Sequence, residues 1–349
     1  MRKGLLCIYL LILEQVFLII MTNTTLKKIS EGLGLSISTI SRALKNHPDI
    51  SEKTKKRVIE LANTLDYEPN INAINLRSSN SKLFGLIIPS ISNLFYNSFT
   101  SSVEEECRRN GYTLLILQSG DDPEIEISNL KLFRQNRITG LFICLSPDTL
   151  NIEPFLKLKE QEIHVIFFDK VPESNNCNKV CVADSYSARL AANALINKKK
   201  KKIFGLFGNP NLLMTKKRMA AFTTTILEKQ NNKVKVTTEH ALSSVEAEAK
   251  TMAYLKEKPD AVFCMSDELL TGAMCAIQKN KLRIPEDIAV IAISDGLIPK
   301  LYFPEITYVE TSGYKLGKLA FSSMLACLAG SSFQQELISE TLVIEGGSL

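Results

Sequence analysis

The 349-residue chain has no CxxC pair, no GxGxxG fingerprint, no GxxxxGK[ST] phosphate loop and only three histidines. Each absence removes a class of function. The eight cysteines (Cys7, Cys107, Cys144, Cys177, Cys181, Cys264, Cys275, Cys327) are scattered, several inside apolar runs such as LFICL and AVFCM. That is the usage of reduced core residues in a cytosolic protein, not of a disulfide framework. Cys177 and Cys181 form a CxxxC that could supply two zinc ligands, but a structural site wants a second close pair and His164 stands alone. His47, His164 and His240 likewise lack the company that a hydrolytic triad or zinc protease needs. Charge of one sign is also missing: 42 basic against 37 acidic side chains leave +5, which permits a polyanion partner without arguing for one. With 45% hydrophobic and 23% charged residues the chain is globular, and its length allows two or three domains.

Residues 1–21, MRKGLLCIYLLILEQVFLIIM, imitate a signal peptide or short anchor, yet Glu14 and Gln15 interrupt the apolar run and no A-x-A cleavage site follows. The expectation is that Met21 is the true start and residues 1–20 are upstream sequence. A signal or anchor and an extra cytosolic helix are the alternatives.

From Thr25 to Leu65 the spacing predicts three short helices. Leu26, Ile29 and Leu33 fall at i, i+3, i+7 behind a Thr24 or Thr25 cap, and Gly32 and Gly34 end the pattern. Ser36 caps a second stretch with Ile37, Ile40 and Leu44 on one side and Ser38, Thr39, Ser41 and Arg42 mostly on the other. A third stretch, Ser51 to Leu65, carries Val58, Leu61, Ala62 and Leu65 on one face. Two helices around a glycine-containing turn make a helix-turn-helix, although a plain three-helix bundle has the same periodicity. Short hydroxyls and an arginine on the exposed face favour base edges and phosphates, where a merely solvated face more often carries Glu and Lys.

The segment TLKKISEGLGLSISTISRALKNHPDISEKTKKRVIELANTLDYEPNINAINLRS closely resembles the headpiece of the lactose-repressor (LacI) family of bacterial transcription regulators. The likeness rests on S-x-S-T-I-S-R-A-L at 36–44, H-P-D-I-S at 47–51, Y-x-P-N at 67–70 and N-x-x-A-x-x-L at Asn70, Ala73 and Leu76. It implies a DNA face formed by Thr25, Ser36, Ile37, Ser38, Thr39, Ser41, Arg42 and Asn46. It further implies a hinge that becomes helical on the operator, where Leu76 wedges into the minor groove. Ile74 stands where many relatives carry Arg, removing one expected phosphate contact.

Past a polar linker, RSSNSK at 77–82, apolar strands alternate with helical stretches. Predicted strands are 84–89, 113–118, 138–145, 163–168, 202–207, 235–239, 261–265 and 288–293; predicted helices are 97–110, 125–136, 185–197, 216–230, 245–257 and 267–280. Near-continuous apolar strands between helices mean parallel sheets covered on both faces, here in two Rossmann-like halves with a cleft between them. A dehydrogenase is the enzyme alternative for this layout, but GLFGNPN at 205–211 lacks the third glycine of the dinucleotide turn. No enzyme and no cofactor are expected.

The core also resembles the family's effector domain, which is similar to periplasmic sugar-binding proteins. The matching stretches are IIPSISNLFY (87–96), EEECRRNGY (104–112), VIFFDK (165–170), KRMAAF (217–222), SDELLTGA (266–273) and LRIPEDIAVI (282–291). The resemblance implies three chain crossings between the halves, with the helix near 312–329 returning to the first. It places Arg218 on the arginine that grips sugar hydroxyls or an effector carboxylate, Asp169 and Asp267 on polar effector-facing positions, and Phe95 and Tyr96 on the cleft wall. Each also has a plain reading: Arg218 as a solvated charge, Asp267 as a helix cap, Phe95 as core. Ser294 replaces an Asp usual in the family, with Asp295 following, and Thr311 replaces a Gln, so the pocket departs from the family while the fold does not. The basic run Lys198 to Lys202 reads as a solvated loop.

The expected protein is a cytosolic, nucleoid-associated homodimeric regulator, most simply a repressor of sugar-utilisation genes. It would bind a pseudo-palindromic double-stranded DNA operator and a sugar-like effector, with no membrane partner. An exported sugar-binding protein is the alternative. The expected boundaries are a leader at 1–21, a headpiece at 22–68, a hinge and linker at 69–82 and a core at 83–349. Within the core, the first half takes 83–182 and 312–330 and the second takes 183–311 and 331–349.

Overall fold

The computed structural model describes residues 25–67, 81–230, 234–331 and 336–349. The leader and the hinge residues Asn70, Ala73, Ile74 and Leu76 lie outside the described residues.

The headpiece is all-α. Helix α1 (Leu26–Leu33) begins at Thr25, whose hydroxyl accepts from the Lys28 amide at 3.4 Å, and stops at Gly34, whose φ of 63° only glycine adopts without strain. Helix α2 (Ile37–Leu44) starts on Ser36, whose Oγ accepts from the Thr39 amide at 3.1 Å. Helix α3 (Glu52–Thr64) starts on Ser51 in the same way. Ile29, Ile40, Ala43, Val58 and Ala62 close a small core between the three. Ile37 and Leu65, read as part of the apolar stripes, are instead exposed: Ile37 opens α2 at its first turn and Leu65 is the residue on which α3 ends.

In the core, the first sheet contains β1 (Leu83–Ile88), β2 (Thr113–Gln118), β3 (Gly140–Ile143), β4 (His164–Phe168), β5 (Asn178–Val182) and β11 (Glu336–Ser339), ordered β11-β5-β4-β3-β1-β2 and all parallel. The second contains β6 (Lys202–Phe207), β7 (Lys235–His240), β8 (Ala261–Cys264), β9 (Ala289–Ser294), β10 (Thr307–Glu310) and β12 (Val343–Ile344), ordered β12-β10-β9-β8-β6-β7. Only β12 runs antiparallel to its neighbour. Helices α4 (Leu94–Arg109), α5 (Pro123–Gln135) and the short α6 (Glu153–Leu156) belong to the first half. Helices α7 (Asp184–Asn197), α8 (Leu213–Gln230), α9 (Ser244–Leu255) and α10 (Asp267–Lys279) belong to the second. These are two parallel-sheet subdomains of the Rossmann type, and their central strands are buried on both faces, as the unbroken apolar runs require.

The chain crosses between halves from β5 to α7, from β10 to α11 (Gly313–Leu328) and from β11 to β12. Helix α11 packs on α4, β4 and β5, so it returns to the first half. The approach is close, because a Cβ on Gly313 would stand 2.3 Å from the Phe95 carbonyl oxygen. The assignment of all of 331–349 to the second half is corrected. Strand β11 pairs with β5, Glu336 beside Lys179 through Ser339 beside Val182, and only the last strand joins the second sheet. Strands β5, β10, β11 and β12 were not foreseen, being short and mixed with polar residues.

Candidate functional site

In the headpiece, α2 presents Ile37, Ser38, Arg42 and, just beyond its end, Asn46 as exposed residues, with Thr39 and Ser41 half-exposed. Ser38 and Arg42, four apart, share one face. Thr25 and Ser36 act locally as caps, and the Ser36 hydroxyl also lies 2.7 Å from Ser38 Oγ and 2.8 Å from Thr39 Oγ1. The arginine is held only loosely, 3.8 Å from Asp49 with both side chains in solvent, so little is lost when it swings to a phosphate or base. Asn46 sits at φ 54° where the chain leaves the helix.

Both sheets have the strand order in which a crevice opens at the carboxyl ends of the strands, beside the point where the order reverses. The residues expected to face the effector all sit at such ends. Tyr96, near the start of α4, is buried and donates its hydroxyl to Asp169 Oδ2 at 2.8 Å; Asp169 follows β4 at φ 58°. Cys144 closes this corner, its Sγ 3.5 Å from the Tyr96 hydroxyl. Phe95 is half-buried and meets Tyr96 edge to face. The Tyr96 ring is therefore spent inside the first half.

Arg218 is neither solvated nor at a helix start. It lies one and a half turns into α8 with 4% of its surface exposed. Its Nε donates to Asp184 Oδ1 at 2.8 Å and its Nη1 to the Met265 carbonyl at 2.8 Å. Asp184, the first residue of α7, was missed by sequence reasoning, which saw only a helix beginning near 185. Asp267 does not cap α10; Ser266 does, accepting from the Leu269 amide. The Asp267 carboxylate instead accepts from the Ser294 hydroxyl and, at 3.1 Å, from the Asp295 amide. Asp295 reaches across to the first half, accepting at 2.7 Å from the Gly313 amide at the start of α11. The structure thus gathers two groups, Tyr96–Asp169–Arg218–Asp184 and Asp267–Ser294–Asp295, tied together through residues 265–267.

Burial raises all four carboxyls above the usual Asp range. For Asp169 the Tyr96 bond and Arg218 pull the other way, and for Asp184 Arg218 does. Asp295 is pushed up to about 6, with the Gly313 amide and Ser98 opposing and Asp267 and Glu310 adding to the rise.

The inner crevice is almost closed. A cavity of about 20 Å³, a single water's room, lies among Asp169, Lys170, Asp184, Leu213 and Lys217. A wider, more open recess of about 400 Å³ lies between Pro147, Asp148 and Leu150 of the first half and Asn211 and Lys216 of the second. The loop on its first side is pinned by Glu126, fully buried on α5, which accepts from Ser146 and, at 2.6 Å, from the Thr149 hydroxyl. Glu126 too went unnoticed in the sequence, where it looks like any helix-surface acid.

Residues 25–70 match the family model of bacterial regulatory proteins, lacI family, and residues 81–341 match that of periplasmic binding proteins and the sugar binding domain of the LacI family. The chain belongs to the LacI family. As a LacI-family protein it is a DNA-binding transcriptional regulator with a small-molecule-binding core. The exported binding protein is set aside, because such a protein has no use for the headpiece. The LacI-family chain is 26% identical over 309 residues to the HTH-type transcriptional repressor PurR of Vibrio atlanticus (strain LGP32), covering 86% of this chain and 91% of that one. It is 25% identical over 314 residues to the HTH-type transcriptional regulator RegA of Clostridium saccharobutylicum, covering 87% and 92%. In fold it is similar to the lac repressor dimer bound to operator and the anti-inducer ONPF (TM-score 0.83, 21% identity, 94% and 99% covered) and to the regulator CelR in complex with cellobiose (0.67, 17%, 93% and 99%). Among the described residues no helix is long and apolar enough to cross a membrane.

Proposed function

We propose that this regulator is a cytosolic homodimeric repressor whose grip on a pseudo-palindromic operator is altered when a sugar or sugar derivative enters the cleft of its core. The observation that carries this reading is the joining, in one chain, of an exposed Ser38–Arg42 face on α2 to a two-lobed core whose polar residues converge at the strand ends. Ile37, Ser38 and Arg42 read bases or adjacent phosphates in the major groove, and Leu76 of the hinge wedges the minor groove. Thr25 and Ser36, as caps, aim the first amides of α1 and α2 at backbone phosphates. The effector sits between Phe95 and Asp169 of the first half and Arg218, Asp267, Ser294 and Asp295 of the second.

The switch follows from this placement. A ligand bridging the halves changes their opening, and with it the spacing of the two hinges in a dimer and the cost of folding them on DNA. A coupling of about 1–3 kcal/mol suffices to move operator affinity about 5–150-fold. The relatives support repression: PurR of Vibrio atlanticus is a transcriptional repressor, and the lac repressor binds its operator as a dimer. The test is capture of genomic fragments by purified full-length protein, footprinting of the enriched site, and titration of the complex with sugars suggested by the neighbouring genes. A footprint without two-fold symmetry, or one that no sugar changes, would refute the corresponding half of the reading.

A further inference from the structure

The run Lys198–Lys202, taken alone, has the composition of a solvated loop. The fold adds to it. These residues lead into β6, and the sheet order sets β7 on one side of β6 and β8 on the other, with Lys235 opposite Lys202. The amino ends of the three strands therefore share one edge, which also receives Lys229 from the end of α8 and Lys256 and Lys258 from the turn between α9 and β8. Lys198 is set aside, because it donates to the backbone oxygen of Leu349 at 3.3 Å. Eight lysines then stand against three acids, Glu228, Glu257 and Asp260, a surplus of five that equals the net charge of the whole chain, +5. Farther along the same edge, before β9, the charges cancel, Lys279, Lys281 and Arg283 standing with Glu248, Glu286 and Asp287. The nearby acids are also occupied. Asp260 accepts from the Lys201 and Lys202 amides at 2.7 and 2.9 Å, and Glu257 from Lys202 Nζ at 3.3 Å. Lys199, Lys200, Lys201, Lys235, Lys256 and Lys258 have no ion pair among the described residues, and all but the half-buried Lys200 are exposed. The effector crevice opens at the carboxyl ends of the strands, so this edge lies at the far end of the six-residue β6, about 20 Å away.

We propose that this lysine edge is a second DNA contact, a sequence-independent seat for the phosphates of a duplex segment other than the one held by the headpiece. Lysine ammonium groups are strongly hydrated point charges, which suit phosphates and read no bases. No arginine, aromatic or leucine side chain interrupts the segments 198–202, 228–229 and 256–258. The edge therefore lacks the anchors of a protein interface and the apolar face of a membrane-surface helix. Duplex DNA is the polyanion that the headpiece already brings within reach, and tethering raises its effective concentration at the edge. The contact is driven by release of counterions condensed on the duplex. About five neutralised phosphates correspond to a slope of log K against log salt of about −4.5, all of it independent of sequence.

The experiment is fluorescence anisotropy of the full-length protein with a random-sequence duplex of about 30 base pairs, over about 50 to 200 mM salt. Wild type is compared with the edge variant Lys199→Asn/Lys201→Gln/Lys235→Gln/Lys256→Gln. A control of equal net charge, Lys131→Gln/Lys157→Gln/Lys159→Gln/Lys300→Gln, removes exposed lysines elsewhere. The edge variant should bind about tenfold or more weakly at the lowest salt, with a slope flatter by about 2–4, while the control stays within about twofold of wild type. In a second arm one duplex is fixed to beads, and wild type should retain a second, labelled duplex that the edge variant releases. Circular dichroism establishes that the variants are folded; if the fourfold variant is not, Lys201→Gln/Lys235→Gln carries both arms with about half the change in slope. Equal affinities and slopes for wild type and edge variant, or a loss matched by the control, would overturn the proposal and leave the run a solvated surface. Weaker binding with bridging unchanged would overturn the assignment to a second segment. Tighter binding of phosphatidylglycerol vesicles or polyglutamate than of DNA at the same salt, lost in the edge variant, would give the edge to a lipid surface or an acidic protein instead.

Discussion

Replacing Arg218 by Ala should unsettle the core well before any effector is considered. The side chain is buried, as is its partner Asp184, and removal leaves an Asp carboxylate with no cation and the Met265 carbonyl without its donor. Breaking a buried pair from one side costs about 3–5 kcal/mol, a large share of the roughly 5–15 kcal/mol that holds a domain together. The loss should depend on pH in a stated sense. Asp184 already has a folded pKa above its unfolded one because burial disfavours the charge, and Arg218 is what restrains the rise. Without the arginine the folded pKa climbs further. Stability tied to the protonated form is present below the unfolded value and is lost as pH rises through the folded one, so the deficit of the variant should be greatest at high pH and shrink as pH falls toward the unfolded value. The assay is urea unfolding followed by circular dichroism, since the chain has no tryptophan to report by fluorescence. The companion Arg218→Met/Asp184→Asn should recover part of the loss, with a coupling of about 0.5–3 kcal/mol between the two sites. A deficit below about 1 kcal/mol, or one that grows as pH falls, would show that the pair is solvated in solution and that the buried strut is wrong.

Replacing Ser38 should change which operator is preferred, at about 1–3 kcal/mol per lost base contact, as measured by competition between operator variants. Leu76→Ala should weaken operator binding while sparing binding to random DNA; equal losses on both would dismiss the wedge. Gly272→Ala should destabilise the second half by about 1–3 kcal/mol or more, because the added Cβ would fall 2.1 Å from the Ser244 carbonyl oxygen, a backbone atom that cannot move aside, and a denaturant midpoint equal to wild type would contradict this. For Asp295, raised to about 6 by burial, stability is present at low pH and lost as pH rises through 6, so Asp295→Asn should gain more in melting temperature at pH 7.5 than at pH 5, by about 2–4 °C if the gain is 1 kcal/mol.

What the sequence by itself determined is everything that follows from short-range pattern. Apolar spacing of 3.6 and capping Thr25, Ser36 and Ser51 place the headpiece helices, because a helix closes its bonds within a few residues. Unbroken runs such as FGLII and AVIAI announce strands buried on both faces, and the order of strands and helices announces parallel sheets. The edge elements were not legible in this way. Strand β11 is ELIS and β12 only two residues long, and neither differs from loop until a neighbouring strand accepts it, which is why residues 336–339 were assigned to the wrong half. The candidate site divides along the same line. Arg218, Asp169 and Asp267 could be named from motifs, but their partners are fixed by contacts between residues 34, 73 and 27 positions apart, and no local pattern encodes those. Only the folded chain decides that Asp184 meets Arg218, that Tyr96 turns inward to Asp169 and that Asp295 reaches the start of α11. A charge in a sequence has no electrostatic value until burial removes its water and the fold supplies its counter-charge.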